Sequence, residues 1–203
     1  SRAILVANHW GYLDSLILMS ISPCLVISNM DVRRMPVVGW LMHVMGFVFV
    51  DRSSNSSIPA ALNKASDEVS KAGINMALFP EGGTGDGTHL KPFHSSFFQM
   101  AIDTGYDVQP LLIRILNINS EKITSENIDR VIFHGHKVNV VSHILQMLNN
   151  RSITISVDLL PRLNRETITN NNLSRKEICL MTETAINHRF NQYLRLSNEI
   201  PSI

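Results

Sequence analysis

The segment AILVANHWGYLD, residues 3–14, has the sequence pattern of a strand, a turn and the start of a helix in direct succession. Its first five residues, Ala3–Ala7, are all apolar and predict a buried strand. After a short turn that contains Gly11, the pattern predicts a helix over residues 13–20. Because a strand that leads through a turn into a helix is the repeating unit of parallel sheets, the segment indicates an α/β fold.

The same alternation continues along the chain. Strands are predicted at 3–7, 24–28, 47–50, 75–79, 108–113, 130–134 and 153–158, and helices at 13–20, 36–45, 59–72, 95–104, 140–149 and 174–196. This order predicts an α/β fold with a mostly parallel seven-stranded central sheet flanked by helices. Ligands of such sheets bind beyond the carboxyl ends of the strands, so the residues that follow each strand are the candidates for a site.

Composition limits the function classes. The 203 residues are 44% hydrophobic, which suits a single domain over residues 1–203. Lys and Arg number 18 against 17 Asp and Glu, so the positive charge of a nucleic-acid-binding protein is missing. Cys24 and Cys179 lie far apart without C-x-x-C spacing, which favours neither a disulfide framework nor a zinc ribbon and is simplest in a reducing compartment.

Two features of the sequence bear on membrane association: the start of the chain and the apolar segment 35–45. No apolar run reaches the about 20 residues of a membrane span, but Ser1 leads straight into an apolar run as though cut from a longer protein, so an upstream membrane anchor stays a hypothesis. The apolar segment 35–45 has two interpretations. We prefer a helix buried between layers; the other is a membrane-facing helix with Trp40 at the interface, preceded by Arg33 and Arg34.

His9 and Asp14 follow the first predicted strand, five positions apart. They can meet only if His9 lies in a turn and Asp14 in the first turn of the helix, which Gly11 makes easy. An aspartate can hold one ring nitrogen of a histidine and leave the other free to take a proton. The alternative is that Asp14 caps the helix and His9 is a surface residue.

Two further strands end in residues suited to binding. Arg52 follows the third strand, and its planar guanidinium suits a phosphate or carboxylate, although an ion pair with Asp51 is also possible. Glu81 follows the fourth strand and precedes Gly82 and Gly83, on a turn whose backbone N–H groups could receive a phosphate or an oxyanion. A turn glutamate without a role is the alternative.

Four ordered blocks resemble the glycerolipid acyltransferases typified by lysophosphatidate acyltransferase. The matching residues are His9 and Asp14 in Asn-His-x-x-x-x-Asp, residues 46–52 ending in Asp-Arg, Phe79 to Gly82 as Phe-Pro-Glu-Gly, and Pro110. The blocks span residues 8–110 in the family's order, whereas residues 114–203 resemble the family only in general pattern.

The resemblance implies an enzyme of phospholipid biosynthesis at the cytoplasmic face of a membrane, which moves an acyl group from acyl-CoA or acyl carrier protein to a lysolipid hydroxyl. It implies that His9 is the general base and Asp14 its partner, with no acyl-enzyme, no metal and no cofactor beyond the acyl donor. By the same resemblance Arg52, Glu81, the glycines that follow it and Pro110 bind substrate.

The chain departs from the family where the acceptor binds. The third block usually continues Gly-Thr-Arg with an arginine on the acceptor phosphate, whereas here the residues are Gly82, Gly83 and Thr84. A lysine common after a Pro-Phe pair is replaced by His94. The positive charge of the arginine is therefore missing. The charge of the lysine is either missing or, with a histidine in its place, dependent on pH.

The variant pattern of the third block is more similar to the branch that acylates lyso-ornithine lipid, or to lysophospholipid acyltransferases with a broader acceptor range. Replacement cations could come from Arg33, Arg34 or Lys91.

Other function classes are weaker. A catalytically idle lipid-binding module of the same fold is the main alternative, and intact His9, Asp14 and Glu81 argue against it. A metal hydrolase built on those three residues lacks recognised ligand spacing. A metal site at His134, His136 and His143 lacks a carboxylate or cysteine, so we prefer structural roles for these histidines.

Overall fold

The computed structural model describes residues 2–34, 38–50, 57–124, 126–133 and 139–199. Its strands are β1 (Ala3–Ala7), β2 (Cys24–Asn29), β3 (Val48–Val50), β4 (Asn75–Leu78), β5 (Asp107–Ile118), β6 (Glu121–Lys122) and β7 (Ile153–Leu159). Within the described residues they form one seven-stranded sheet in the order β3-β2-β4-β1-β5-β6, with β7 also paired to β5. The pairings from β3 to β5 are parallel, and β6 and β7 run antiparallel to β5. The predicted mostly parallel α/β sheet is confirmed.

Helices cover this sheet. They are α1 (Tyr12–Ile21), α2 (Met30–Arg33), α3 (Val38–Val44), α4 (Ser57–Ala72), α5 (Gln99–Thr104), α6 (Val140–Leu148), α7 (Arg165–Asn170) and α8 (Arg175–Glu199). Short 3₁₀ helices lie at Ser95–Phe98 and Ile128–Arg130. The helices predicted at 59–72 and 174–196 match α4 and α8 closely, whereas α2 and α7 were not predicted.

The core fixes β1 at the centre of the sheet. All five residues of β1 are buried, and the strand has β4 on one side and β5 on the other. Leu62, Ala65 and Val69 of α4 are buried at helical spacing, and Gly73 ends the helix in the left-handed conformation that glycine adopts without strain. The carboxyl end of β1 is therefore a rigid point of attachment for whatever follows it.

The strand predicted at 130–134 is wrong for residues 130–133, and His134 lies outside the described residues. Ile128–Arg130 forms a 3₁₀ helix, and Val131 and Ile132 follow it outside any strand. Both side chains are nevertheless buried, and Ile132 packs close to Gly87. A β-branched apolar pair that fills the core from a loop has the same sequence pattern as a short strand, which accounts for the error. Among the described residues, the two-residue β6 instead brings the number of strands in the sheet to seven.

The apolar segment around α3 is not a helix buried between layers. Trp40 is 67% exposed and Val44 63% exposed, so one face of α3 points away from the protein, while Met42 packs against the core. The preferred interpretation of segment 35–45 is therefore wrong for these two side chains, and residues 35–37 lie outside the described residues. In the described parts of the chain, no helix combines the length and the apolar character needed to cross a bilayer.

Candidate active site

Asn8 fixes the point at which β1 leaves the sheet. The last register pair between β1 and β5 is Ala7 with Leu111. Beyond it, Asn8 Nδ2 donates to the Ile113 carbonyl at 3.0 Å, and Asn8 Oδ1 accepts from the Ile113 N–H at 2.8 Å. The indole N–H of Trp10 donates to the same carbonyl at 2.9 Å. Since Asn8 is fully buried, these bonds hold the chain against β5 on both sides of His9.

His9 and Asp14 meet across the turn that follows. His9 Nδ1 lies 2.9 Å from Asp14 Oδ2. The same carboxylate oxygen accepts the N–H of Trp10 at 2.6 Å and the N–H of Gly11 at 2.8 Å. Asp14 stands in the first turn of α1 and is 3% exposed, whereas the His9 side chain is 21% exposed. The structure thus joins the two side chains that the sequence spacing singled out, with the histidine facing outward.

Asp14 decides which nitrogen of His9 stays available. Because Asp14 Oδ2 already accepts two backbone N–H groups, it acts as an acceptor, and we assign the ring proton of His9 to Nδ1 and a lone pair to Nε2. Among the described residues, Nε2 of His9 has no hydrogen-bond partner. The ring also stacks on Phe79, with centroids 4.3 Å apart and planes inclined by 17°. A histidine held in this way can take a proton from a hydroxyl group.

Glu81 is buried and connects two segments. It is 4% exposed, its Oε1 accepts the backbone N–H of His9 at 2.8 Å, and its Oε2 accepts the backbone N–H of Lys91 at 2.8 Å. Burial raises the pKa of the carboxyl, although both N–H bonds and the nearby charges of His9 and Lys91 oppose the shift. With both oxygens engaged, the Glu81 carboxylate positions the backbone of His9; its predicted role in acceptor binding stays a prediction.

The glycine-rich loop after Glu81 returns to His9. The N–H of Gly85 donates to the His9 carbonyl at 2.7 Å. A Cβ atom on Gly85 would lie 2.7 Å from the Trp10 ring, so only glycine permits this approach. Gly82 is exposed and Gly83 half-buried, and both lie between Glu81 and Gly85, the two loop residues that hydrogen-bond to the His9 backbone. Their predicted substrate-binding role is not tested by these contacts.

Pro110, another predicted binding residue, makes its described contacts within the sheet and not with His9, Asp14 or Glu81. Pro110 is buried within β5, where it pairs in register with Val6 and accepts the N–H of Leu160 at 3.0 Å. On β5 it is Ile113, and not Pro110, that the Asn8 and Trp10 side chains contact. Arg52 and its neighbour Asp51 lie outside the described residues.

The structure describes some of the remaining histidines and both cysteines. His143 is buried and hydrogen-bonds through Nδ1 to the Tyr12 hydroxyl and through Nε2 to the Asp129 carbonyl. His134 and His136 lie outside the described residues. Among the residues that the structure describes, no group of three or more His, Cys, Asp or Glu side chains could hold a metal ion.

Sequence comparisons find relatives that are enzymes of lipid acylation. A lyso-ornithine lipid O-acyltransferase of Pseudomonas aeruginosa is 29% identical over 181 residues, which are 89% of this chain and 65% of that protein. A 1-acyl-sn-glycerol-3-phosphate acyltransferase of Neisseria gonorrhoeae is 33% identical over 111 residues, which are 55% of this chain and 43% of that protein. The chain therefore spans less than two thirds of the length of either relative.

A solved structure has the same fold. The match to the crystal structure of the 1-acyl-sn-glycerophosphate acyltransferase PlsC from Thermotoga maritima covers 100% of this chain and 68% of the PlsC chain. The TM-score is 0.64 and the sequence identity is 18%.

The family model described as Acyltransferase matches residues 1–114. This segment contains β1, the His9–Asp14 turn and the Glu81 loop, as the resemblance of the four blocks implies. Because the match covers more than half of the 203 residues, the chain belongs to the acyltransferase family.

Proposed function

We propose that the protein is an O-acyltransferase that moves a fatty acyl group from an acyl-CoA or acyl-carrier-protein thioester to the free hydroxyl of a lysolipid. The observation that carries the proposal is the 2.9 Å contact between His9 Nδ1 and Asp14 Oδ2, within the segment that the family model matches. The names of the relatives, which specify lysolipid acceptors, support it. The proposal needs no metal and no cofactor besides the acyl donor.

The reaction follows from the open nitrogen of His9. Nε2 takes the proton of the acceptor hydroxyl as its oxygen attacks the thioester carbonyl carbon. The new ester C–O bond forms, the C–S bond breaks, and the leaving thiolate recovers the proton from the imidazolium. Asp14 keeps the ring in the required orientation and stabilises its positive charge while it lasts. Since the hydroxyl attacks directly, no acyl-enzyme forms.

The acceptor is either a 1-acylglycerol 3-phosphate or a related lysophospholipid, or lyso-ornithine lipid. The match to the lyso-ornithine lipid enzyme covers 89% of this chain, whereas the match to the glycerol-phosphate enzyme covers 55%. The loss of the arginine at the position of Thr84 points the same way. Lyso-ornithine lipid is therefore the second acceptor to test beside lysophosphatidate.

The enzyme is proposed to work at the cytoplasmic face of a membrane, where lysolipid acceptors and acyl donors meet. Two helices offer apolar side chains to such a surface. Trp40 and Val44 of α3 are exposed, as are Val141, Leu145 and Leu148 of α6, at fractions of 60 to 69%. Such side chains stabilise a helix at the boundary between lipid headgroups and acyl chains.

The test is thiol release from a radiolabelled acyl-CoA, with lysophosphatidate, lysophosphatidylcholine and lyso-ornithine lipid offered separately. The chain should form labelled product with at least one acceptor, and His9→Ala should lower the rate by about 100-fold or more, since the base is lost. Near-normal turnover by His9→Ala would overturn the mechanism.

An idle lipid-binding module gives a different result. If no acceptor is acylated from acyl-CoA, the assay is repeated with acyl carrier protein as donor. Product from the second donor identifies the donor class. No product from either donor, while vesicles still bind the protein, would favour the idle module over the enzyme.

A further inference from the structure

We infer that the ammonium group of Lys91 binds the anionic headgroup of the acceptor, a phosphate or a carboxylate, beside the His9 turn. The inference rests on the proposed function, because it assigns a part of the same site. It is carried by the position of Lys91, which is joined to the site by both its backbone and its side chain.

The backbone of Lys91 belongs to the framework of the site. Its N–H donates to Glu81 Oε2 at 2.8 Å, and the other oxygen of that carboxylate accepts the N–H of His9 at 2.8 Å. Three residues on, the N–H of His94 donates to the Pro80 carbonyl at 2.9 Å. Lys91 therefore starts from a fixed point, one carboxylate away from His9.

The side chain turns back over the glycine-rich loop. Lys91 Nζ donates to the Thr84 carbonyl at 2.6 Å, and a methyl group at Gly83 would lie 3.8 Å from it. The next residue, Gly85, donates its N–H to the His9 carbonyl at 2.7 Å. With standard peptide dimensions these contacts place Nζ within about 8 Å of the His9 carbonyl oxygen. The ammonium group and the backbone of the His9 turn are therefore held together by the same glycine-rich loop.

The ammonium group has capacity for a ligand. Lysine carries three donor protons, and the Thr84 carbonyl takes one of them. Within the described residues no carboxylate lies in ion-pair distance of Nζ. The side chain is half-buried, so its charge is screened less by water than that of an exposed lysine. An anion at this place would therefore gain more than at an ordinary surface lysine.

The other cations that the sequence offers are placed differently. Arg33 lies at the end of α2, with its guanidinium 3.0 Å from His43 Nδ1 and 5.3 Å from the centre of the Phe49 ring. Arg34 follows it at the exposed end of the same helix. Lys91, by contrast, has a backbone bond to Glu81 and a side-chain bond to the loop that bonds to the His9 carbonyl.

The experiment compares Lys91→Met and Lys91→Arg with Lys71→Met as the matched control. Lys71 is exposed in the last turn of α4, which precedes the amino end of β4 and so lies at the edge of the sheet opposite the site. Values of kcat and KM are measured with lysophosphatidate and lyso-ornithine lipid at low and high NaCl. Equilibrium binding of both lipids is measured by calorimetry, with the wild-type residue and with Lys91→Met, in a His9→Ala background that does not turn over.

We expect Lys91→Met to raise KM and Kd for an anionic acceptor about tenfold or more, because a hydrogen bond to a charged group is lost, and to flatten the rise of KM with salt. The kcat value should change less than about threefold, Lys91→Arg should recover part of the lost affinity because it restores the positive charge, and Lys71→Met should stay near wild type. The lipid with the larger effect shows whether phosphate or carboxylate is bound. A fall in kcat at unchanged KM would overturn the inference, because it would mean that Lys91 only braces the loop.

Failure of the inference and failure of the proposed function give different results. If the wild type acylates a lipid and Lys91→Met binds that lipid equally well, the inference is wrong and the proposed function stands. If the wild type binds a lipid through Lys91 without acylating any, the proposed function is wrong and the headgroup site stands. A wild type that neither binds nor acylates these lipids overturns both.

Discussion

His9 and His143 are both held through Nδ1, yet their surroundings prepare them for different roles. His9 faces the Asp14 carboxylate and is partly exposed, whereas His143 is 1% exposed and faces the Tyr12 hydroxyl. Burial raises the pKa of Tyr12 to about 12, so its hydroxyl keeps the proton and can donate it to His143 Nδ1. The Asp129 carbonyl then accepts a hydrogen bond from Nε2 of His143. The carboxylate partner and the open second nitrogen are what distinguish the proposed base from His143.

Replacing Asp14 should have the largest effect among the partners of the two histidines. Asp14→Asn keeps the size of the side chain but removes the charge of the group that contacts His9 Nδ1, which in the proposed mechanism stabilises the imidazolium formed during transfer. We expect kcat to fall by about 100- to 1000-fold, as measured by steady-state acyl transfer. Circular dichroism should show the same folded content as wild type. A variant that keeps kcat within tenfold of wild type would break the comparison, because His9 would then work without a charged partner.

Glu81→Gln tests how the backbone of His9 is held. Both carboxylate oxygens accept N–H groups, so the amide nitrogen of glutamine would face a donor. We expect the free energy of unfolding to fall by about 1–3 kcal/mol, measured by urea denaturation.

The pH dependence of this loss has a definite sign. Burial raises the folded-state pKa of Glu81 above 4.5, so its contribution is fully present below about pH 4.5 and declines as the pH rises through the raised value. Glutamine does not titrate. The advantage of wild type over Glu81→Gln should therefore be larger at pH 5 than at pH 8, and an advantage that grows with pH would contradict this sign.

Tyr12→Phe is the counterpart of Asp14→Asn at the second histidine, and its effect should be the smallest. It removes the partner of His143 Nδ1 but leaves His9 and Asp14 in contact. We expect the free energy of unfolding to fall by about 1 kcal/mol, measured by thermal or urea denaturation, with kcat within about threefold of wild type. A loss of kcat comparable to that of Asp14→Asn would show that the two histidines act together.

Much of the fold was predictable because its central strands are fully buried. Continuous apolar runs such as Ala3–Ala7 are typical of parallel strands that are covered on both faces. The prediction failed for Val131 and Ile132, where buried β-branched residues lie in a loop. It also failed for Trp40, because an apolar helix has the same pattern whether it faces the core or the outside. Local sequence reports that a side chain is apolar but not what covers it.

The site was predictable only in part. The spacing of His9 and Asp14 allowed one arrangement in which they could meet, and that arrangement is present. No structural role was predicted for Asn8, because its hydrogen bonds to Ile113 join residues 105 positions apart in the sequence. Glu81 was expected beside exposed N–H groups, whereas its carboxylate accepts the partly buried backbone N–H groups of His9 and Lys91. Such contacts depend on sheet register and loop path, which the sequence does not specify locally.

The most direct test of His9 as the base is the tautomer of each histidine, read from the ¹⁵N chemical shifts of imidazoles in ¹⁵N-histidine-labelled protein. The His9 and His143 signals are assigned by their loss in His9→Ala and His143→Phe, at a pH where both rings are neutral. We predict a proton on Nδ1 of His9 and on Nε2 of His143, because Asp14 accepts from the first and the Asp129 carbonyl from the second. A proton on Nε2 of His9 would leave no lone pair facing the acceptor and would contradict its role as the base.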